Sequence, residues 1–569
     1  MTSVVTAGGI SVTIRGPVLD DSEAVLDRLA SDGVPGALAS GSPKLWGPDA
    51  APLAARRLGW LELPRTSRSL ADRLAGPVRA ARDRGLDRIV LTGAGGPALA
   101  AEAMVRTAAR TASATVSDTA SRPAGPSELI ALDTTDPHEV ADVLDGDLDR
   151  TIVIVVGDGV EAESVRRVFG RAFREAGLGA SEAARRFVVV AEEGSALARA
   201  AGETGHRLVP AEPDVDGRFG ALGARGLVPA AFAGVDLDPL LDDASRLSAV
   251  LRQPYDNPAL ALGAVLGASA LGVRDKLVIA DHGSGLDGFA EWAEQLVGGA
   301  LGKDGKGLLP VVVEGVDAPG FALTGDLRRV ILGSRPDEPG PGREAGVSVA
   351  GPLGGQFLLW EYASAVAARV LSVDPFGEPD TGQSQESTAA LLRSEEGTPP
   401  TVVLRPPELV DGAVEVHTGA EGALRGAQSL SAALDVILEN VPDGGYLAVL
   451  AYLDRRGDAA AAGLRPLLAA RSAAIRRNTA PVTFGWGPRY LHTVGQYHKG
   501  GPGNGAFLQI TGAVTRDVPV PDRPYTLGEL QLAQAFGDLR VLRSLGRPVV
   551  RLHLRDRAEG LAQLTEALA

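Results

Sequence analysis

The sequence predicts an α/β protein with two doubly wound parallel sheets. Short apolar runs rich in Val, Ile and Leu alternate with helical segments, and this pattern occurs twice along the 569 residues. Such runs are typical of strands buried on both faces, and their alternation with helices indicates a parallel sheet. We therefore expect an N-terminal helical extension at 1–59, a first domain at 60–235, and a second at 245–569 that includes a C-terminal α/β segment.

The first half contains four strand-like runs, each followed by a turn or a helix. The strands are predicted in DRIVLT, ELIALD, TIVIVV and RRFVVV, with helices in PALAAEAMVRTAAR and SVRRVFGRAFREAG. In open parallel sheets, ligands bind at the carboxyl ends of the strands where the strand order reverses. The turns after the first three strands are therefore the places where we expect chemistry.

The second half repeats the alternation and continues into a long C-terminal part. Strands are predicted in DKLVIADHG, LLPVVVEG, LRRVILGS, GYLAVLAYL, PVTFGWG, AFLQITG and PVVRLHL, and helices in GFAEWAEQLVGGAL and GQFLLWEYASAVAARVL. The longest apolar tract, Pro258 to Val273, is short for a membrane span and rich in Gly and Ala, so it predicts a buried helix. The stretch 376–401 is predicted to be the least ordered, and 333–344 a surface loop.

Composition excludes several classes of function. The chain is 45% hydrophobic and 22% charged, with a net charge of −15, which argues against nucleic-acid and anionic membrane partners. It has no cysteine, so thiolate metal sites and disulfides are excluded. Seven histidines without an HxxxH pair give no reason to expect a metal or another cofactor. The N-terminus lacks a basic segment followed by an apolar run, so we expect no signal peptide and a cytoplasmic location.

The turn after TIVIVV has the shape of a phosphate loop but carries Asp158, Glu161 and Glu163. Asp158 and Glu161 have capping-box spacing, in which two side chains satisfy the free N–H groups of a helix N-terminus. We interpret the turn as an anion site that the protein's own carboxylates fill.

Segments in consistent order along the chain resemble the glucose-6-phosphate isomerase family, in the actinobacterial type that also occurs fused behind transaldolase. The matching segments include LWGPDAAPLAARRLGWLEL, DRIVLTGAGGPALAAE, LDTTDPHEVADVL, DVDGRFGALGARGLVPAAFAGVD, NPALALGAVLGASAL, EQLVGGALGKDGKGLLPV, GGQFLLWEYASAVAARVLSVDPFGEPD, YLHTVGQYHKGGPGNGAFLQITGA and DRPYTLGELQLAQAFGDL. The resemblance implies two sugar isomerase (SIS) domains with the active site between them, and interconversion of glucose 6-phosphate and fructose 6-phosphate.

The resemblance also implies which residues serve the site. The arginine of the family's GGR motif matches Arg218, with Gly220 in place of a serine, and its C-terminal lysine matches Lys499 beside His498. Lys499 and His498 are the implied catalytic side chains. The implied substrate-binding residues are Arg218, Gly95, Gly96, Gly159 and Gln496.

Other family positions are altered. The catalytic base is a glutamate in segments like AESTGK, whereas this chain reads GGALGK and has Gly299. The phosphate loop reads roughly SSKSGSTxET, and its hydroxyl and lysine positions are taken here by Val155, Val156, Gly157, Asp158, Val160 and Glu161. Pro97 and Ala98 replace two serines of the first glycine turn, and Phe357 replaces the histidine of GQH.

These departures leave three hypotheses open. The first is a family member with weak or absent catalysis that serves as a binding or assembly partner. The second is a working isomerase with substitute residues. Asp304 and Glu314 are conceivable bases, although nothing in the sequence favours them, and Glu294, five residues before Gly299, is turned off its helix face. The third is a sensor of a neutral or cationic sugar derivative. In each case a sugar phosphate or sugar derivative is the expected ligand, and a homodimer or a heteromer with an intact paralogue is the expected assembly.

Overall fold

The structure is a computed structural model, and it describes residues 1–93, 95–114, 126–272, 274–322, 325–334, 345–393, 406–476 and 479–569. Its strands, in chain order, are β1 Thr2–Ala7, β2 Ile10–Arg15, β3 Arg88–Thr92, β4 Leu129–Leu132, β5 Thr151–Val156, β6 Phe187–Ala191, β7 Arg207–Pro210, β8 Lys276–His282, β9 Leu309–Val313, β10 Leu327–Gly333, β11 Gly346–Ala350, β12 Leu409–Asp411, β13 Val414–His417, β14 Tyr446–Tyr452, β15 Val482–Trp486, β16 Gly505–Gly512 and β17 Val549–Leu554. All eleven strands predicted from apolar runs are confirmed.

The helices cover the faces of the sheets. They are α1 Pro17–Ser31, α2 Val34–Ala39, α3 Ala51–Ala54, α4 Leu63–Thr66, α5 Arg68–Asp83, α6 Gly96–Ala114, α7 Pro137–Leu144, α8 Val160–Glu175, α9 Ala180–Arg185, α10 Ala196–Thr204, α11 Ala224–Ala233, α12 Leu237–Ser248, α13 Pro258–Leu271, α14 Phe289–Leu301, α15 Leu353–Leu371, α16 Gly382–Arg393, α17 Leu430–Glu439, α18 Leu464–Ile475, α19 Gly495–Gly500, α20 Leu527–Ser544 and α21 Arg557–Leu568. The four predicted helices correspond to α6, α8, α14 and α15.

The first sheet is parallel throughout, with strand order β4-β3-β5-β6-β7. Every residue of β5 is buried, as its unbroken apolar run predicts. The strand order reverses between β3 and β5, so the turns that follow these two strands lie at the position where doubly wound sheets bind ligands. A Cβ on Gly93, in the first turn, would lie 3.2 Å from the Cβ of Val156, which shows how closely the two turns approach.

The second sheet has strand order β1-β2-β11-β10-β8-β9. Its first two strands form an antiparallel hairpin that pairs with β11, so the N-terminal extension is helical only from Pro17 onwards. The hairpin follows from alternation in the sequence, since Ile10, Val12 and Ile14 are buried and the residues between them are less so. Gly8 and Gly9 both have positive φ, which a two-residue turn of this kind requires.

The C-terminal segment forms the third sheet, with strand order β12-β13-β17-β16-β14-β15. Its strands from β14 to β17 are parallel, and β12 and β13 pair antiparallel at one edge. Segments at its carboxyl edge contact the first sheet: Arg455, after β14, donates to the carbonyl of Ala131 in β4 at 3.0 Å, and Thr135, after β4, donates to Gln534 of α20 at 2.6 Å. The first and third sheets therefore border the same cleft.

Three local predictions have clear outcomes. The apolar tract forms the buried helix α13, whose N-terminus Asn257 caps. Within 376–401, predicted to be the least ordered stretch, residues 382–393 form helix α16, which packs against α20; the rest from 394 lies outside the described residues, as does most of the predicted loop 333–344. No helix in the described parts of the chain is both long and apolar enough to cross a membrane.

Candidate active site

Two segments are central to the candidate site. The first, the α8 turn, is residues 157–161, which lead into helix α8. The second, the α14 turn, is the helical turn of residues 295–299 inside α14. A third segment, the glycine turn after β3, approaches the backbone of two distant residues, His492 and Gly217. A Cβ on Gly95 would lie 3.0 Å from the His492 carbonyl oxygen, and one on Gly96 would lie 2.8 Å from that of Gly217. Both glycines are therefore needed for close backbone approach, which agrees with a position inside the cleft.

At the α8 turn, the predicted capping box is wrong. Gly159 is the N-cap residue and no side chain caps the helix, because the extended backbone of Gly159 places Asp158 one residue outside it. Asp158 is exposed. Glu163, the third acid of this segment, pairs with Arg166 at 2.8 Å and Arg167 at 2.7 Å, so its charge is used along the helix.

Glu161 does fill the turn, with partners that are remote in sequence. It is buried, its Oε1 accepts a bond of 2.6 Å from the Gln534 amide, and the same oxygen lies 3.3 Å from His492 Nε2. A Cβ on Gly159 would lie 2.7 Å from Glu161 Oε2, so the carboxylate folds back over the first turn of α8. A negative charge there is stabilised by the helix dipole.

The two partners hold each other's charge. Burial disfavours both charged forms, but their attraction outweighs it, so the pKa of Glu161 is lowered and the pKa of His492 is raised. Each group thus favours the charged form of the other, at the place where a phosphate loop would receive its anion. Glu161 is therefore placed as expected for a carboxylate that fills the anion site, whereas Asp158 is exposed and does not fill it.

At the α14 turn, the space of the implied base is taken by an arginine. A Cβ on Gly299 would lie 2.7 Å from Arg218 Cδ and 3.0 Å from its Nε. The Arg218 guanidinium donates to the carbonyls of Gly299 at 2.9 Å and Pro375 at 3.1 Å, and it forms an ion pair with Glu378. Arg218 is therefore buried over the position where the family's glutamate would stand.

Glu378 and Lys303 complete this polar cluster. Burial alone would raise the pKa of Glu378, but the adjacent Arg218 lowers it, and 42% of the Glu378 side chain remains exposed. Burial, reinforced by Arg218, lowers the pKa of Lys303 to about 7, and its ammonium donates to the Asp374 carbonyl. Sequence reasoning missed Glu378, Lys303, His492 and Gln534.

The implied C-terminal residues lie in α19. Lys499 Nζ is 2.8 Å from Asp538 Oδ1, and both side chains are buried. His498 Nδ1 bonds the Tyr446 hydroxyl at 2.8 Å, and burial lowers its pKa to about 3, so it is neutral. Gln496 donates to the Gly302 carbonyl at 3.0 Å and to Asp380 at 2.6 Å, which ties α19 to the end of α14.

Curated proteins with similar sequences point to one family, although no protein-family model matches the chain. It is 29% identical over 322 residues to the "Probable glucose-6-phosphate isomerase" of Haloarcula marismortui, which covers 54% of this chain and 70% of that one. It is 31% identical over 271 residues to the "Glucose-6-phosphate isomerase" of Heliobacterium modesticaldum, which covers 45% of this chain and 58% of the relative. These relatives support membership of the glucose-6-phosphate isomerase family.

Solved structures agree on the fold. A hypothetical protein, TT0462, from Thermus thermophilus superposes with a TM-score of 0.55 at 20% identity, over 69% of this chain and all of that one. A glucose-6-phosphate isomerase from Chlamydia trachomatis superposes with a TM-score of 0.53 at 17% identity, over 70% of this chain and 90% of that one. About 30% of this chain's length lies outside each superposition.

None of the substitute bases proposed from sequence lies at the family's base position. Glu294 accepts a bond from Thr483 at 3.2 Å, and burial raises its pKa to about 8. Asp304 is exposed, and Glu314 forms an ion pair with Arg465. The carboxylate that does approach Gly299 is Glu378, through Arg218.

Gln295 is a further site residue of this family member that sequence reasoning missed. It is fully buried, both its polar side-chain atoms lack a partner within the described residues, and both lie 3.1 Å from the Cβ position of Gly96. It precedes Gly299 by four residues and so shares a helix face with it, which is the signal that could have identified it. Among all the residues that the structure describes, no group of three or more His, Asp or Glu side chains is arranged to hold a metal ion.

Proposed function

We propose that this chain is a glucose-6-phosphate isomerase family protein that no longer catalyses the aldose–ketose isomerisation. The observation that carries the proposal is the α14 turn, where Arg218 occupies the space of the missing base. Isomerisation through an enediol needs a group that moves a proton between C1 and C2, and a positioned carboxylate contributes about 10²- to 10⁴-fold. Gly299 has no side chain to do this.

The α8 turn supports the same proposal. A carboxylate about 4 Å from a phosphate charge repels it by about 4 kcal/mol at an effective dielectric near 20, which corresponds to about a thousandfold in affinity. A positive charge on His492 would offset part of this repulsion, but His492 is already paired with Glu161. A sugar phosphate entering this turn would have to displace a buried, hydrogen-bonded carboxylate.

A coupled assay tests the proposal. Purified protein is given fructose 6-phosphate, and the glucose 6-phosphate formed is oxidised by an excess of its dehydrogenase. We expect no turnover above the level of heat-inactivated protein. A rate within a few orders of magnitude of an ordinary isomerase would contradict the proposal.

One observation favours the second candidate, an isomerase with a relocated base. Glu378 is the carboxylate beside Arg218 at the α14 turn, and it is partly open to solvent. If turnover is found, Glu378→Gln should abolish it, whereas Asp304→Asn, which changes an exposed acid on the loop after α14, should leave it unchanged. Loss in Glu378→Gln alone would support the relocated base.

A further inference from the structure

A second cleft lies between the first and third sheets, beside the candidate active site. Its volume is about 420 Å³, and it is lined by Arg106, Arg455, Arg456, Arg489, Glu102 and Trp486, among others. We call it the arginine cleft. Arg455 and Arg456 lie in the loop that begins after β14, and Trp486 ends β15, so the cleft is at the carboxyl edge of the third sheet, where parallel sheets bind ligands.

We propose that the arginine cleft binds a small phosphate monoester whose phosphate is held by Arg106 and Arg456 and whose organic ring packs against Trp486. A volume of about 420 Å³ lies in the range of about 300–1,000 Å³ that small-molecule sites occupy. The inference goes beyond the proposed function, because it concerns residues that the isomerase chemistry does not use.

The two inner arginines, Arg455 and Arg489, already form ion pairs and line the floor of the cleft. Glu102 is buried and forms ion pairs with Arg455 at 2.9 Å and with Arg489, which also pairs with buried Asp133. Although burial would raise the pKa of Glu102, these guanidiniums lower it to about 2, so the carboxylate is charged. Two cations and two anions thus balance at the floor, and they have no free charge for a ligand.

The outer arginines are different, because their present partners are shared or weak. Arg106 lies 3.3 Å from Glu102 Oε1, an oxygen that already accepts from Arg455, and its side chain is 51% exposed. Arg456 pairs with Glu128 at 3.1 Å, with half or more of both side chains exposed. Exposed ion pairs of this kind contribute little to stability, so Arg456 can exchange a carboxylate for a phosphate, which accepts stronger bidentate bonds.

Two acids at the cleft set a condition on the ligand. Glu128 and Glu291 also line it, so its charge is close to balanced without a ligand. Binding therefore depends on Arg456 leaving Glu128. A dianionic monoester offers more negative charge than the carboxylate it replaces, whereas a neutral sugar offers none and should not bind.

Trp486 supplies both an apolar surface and a reporter. It is partly buried and makes an edge contact with Phe484, whose ring centroid is 5.0 Å away. The other four tryptophans, Trp46, Trp60, Trp292 and Trp360, are at most 5% exposed. A change in tryptophan emission on ligand addition would therefore report chiefly on this cleft.

The experiment titrates the full chain with glucose 6-phosphate, AMP, inorganic phosphate and glucose, followed by tryptophan fluorescence and calorimetry. We expect saturable binding of at least one ester, weaker binding of inorganic phosphate, and none of glucose. Arg456→Gln should weaken ester binding by about tenfold or more, and Glu128→Gln should strengthen it, since it frees Arg456. Trp486→Phe should remove the fluorescence change while calorimetry still detects binding.

The control variant is Arg65→Gln, which breaks an exposed ion pair with Glu62 outside the cleft and should leave binding unchanged. Binding that Arg456→Gln and Glu128→Gln both leave unaltered would overturn the proposal, as would the absence of ester binding up to about 10 mM, about the millimolar limit of weak specific association. Preference for glucose 6-phosphate or for AMP identifies the ring that Trp486 accepts. None of these outcomes depends on the isomerase assay, so the two proposals can fail separately.

Discussion

The α8 turn and the α14 turn have departed from the family pattern in opposite ways. At the α8 turn a side chain was gained: Glu161 lies where hydroxyls would hold a phosphate, and buried partners satisfy it. At the α14 turn a side chain was lost: Gly299 leaves a space that Arg218 fills. In both places an ion pair results, Glu161 with His492 at one and Arg218 with Glu378 at the other, so opposite changes in sequence lead to the same kind of contact.

The two ion pairs differ in how deeply they are buried, and this predicts which one matters more for stability. The side chains of Glu161 and His492 are 7% and 22% exposed, whereas Glu378, the partner of Arg218, is 42% exposed. Removing Glu161 leaves buried polar groups without their acceptor, whereas Arg218, itself 3% exposed, keeps the carbonyls of Gly299 and Pro375 as acceptors when Glu378 is changed. The predictions below follow this order.

The largest effect is expected for Glu161→Ala. It leaves His492 and the Gln534 amide buried without their acceptor, so the free energy of unfolding should fall by about 3 kcal/mol. The matched control is Asp158→Ala in the same turn, which is exposed and should change stability by less than about 0.5 kcal/mol. Urea unfolding of both variants measures the difference, and equal effects would refute the assignment of Glu161 as the buried anion.

The next effect is expected for Gly299→Glu, which restores the family's residue in a space that is occupied. Its Cβ would lie 2.7 Å from Arg218 Cδ, so Arg218 must move, and stability should fall by about 1–3 kcal/mol. Gly36→Ala, at a helical glycine with no neighbour within 4 Å, is the control and should not destabilise. If Gly299→Glu is as stable as the parent, the space beside Gly299 is open, and the claim that Arg218 fills it is wrong.

A smaller, pH-dependent effect sharpens the comparison at the α8 turn. The raised pKa of His492 stabilises the fold fully below the unfolded value of about 6.5, and this contribution is lost as the pH rises through the folded pKa. The lowered pKa of Glu161 gives stability above about 4.3 that is lost as the pH falls.

The stability difference between the parent and His492→Gln should therefore be greatest at about pH 4.5–6.5 and shrink on either side. Glu378 and Asp133 also act on His492 and share in raising its pKa. Urea unfolding at several pH values measures the difference. A difference that grows steadily above pH 7 would show that the imidazole is not held as a cation.

The smallest effect is expected for Glu378→Gln. The amide can still accept a hydrogen bond from Arg218, and solvent reaches the side chain, so the loss should be about 1 kcal/mol or less. Thermal or urea unfolding detects it against the parent. A loss as large as that of Glu161→Ala would mean that the two turns are equally dependent on their ion pairs.

The strands that sequence analysis predicted are the ones with unbroken apolar runs, such as β5 and β14. The hairpin of β1 and β2 was missed because its alternating Ser and Thr residues form no such run, and its sheet partner β11 lies more than 300 residues away along the chain. The edge strand β12 and its neighbour β13 are short and only partly buried, so their sequences carry little apolar signal.

The candidate site was predictable in position but not in its contacts. Strand ends and the family resemblance located Gly95, Arg218, Gly299 and the α8 turn. The partners of Glu161 are separated from it by 331 and 373 positions, so no local pattern could reveal them. The capping box failed because Gly159 takes the N-cap backbone conformation, and Glu378 was missed because it lies in a stretch whose composition predicts little order.

A crystal soaked with fructose 6-phosphate tests the central claim most directly, namely that Glu161 closes the anion site at the start of α8. The account predicts that Glu161 stays on His492 and Gln534, and that no phosphate density lies on the amides of residues 159–161. Phosphate density on those amides, with the Glu161 side chain turned away from His492, would contradict it.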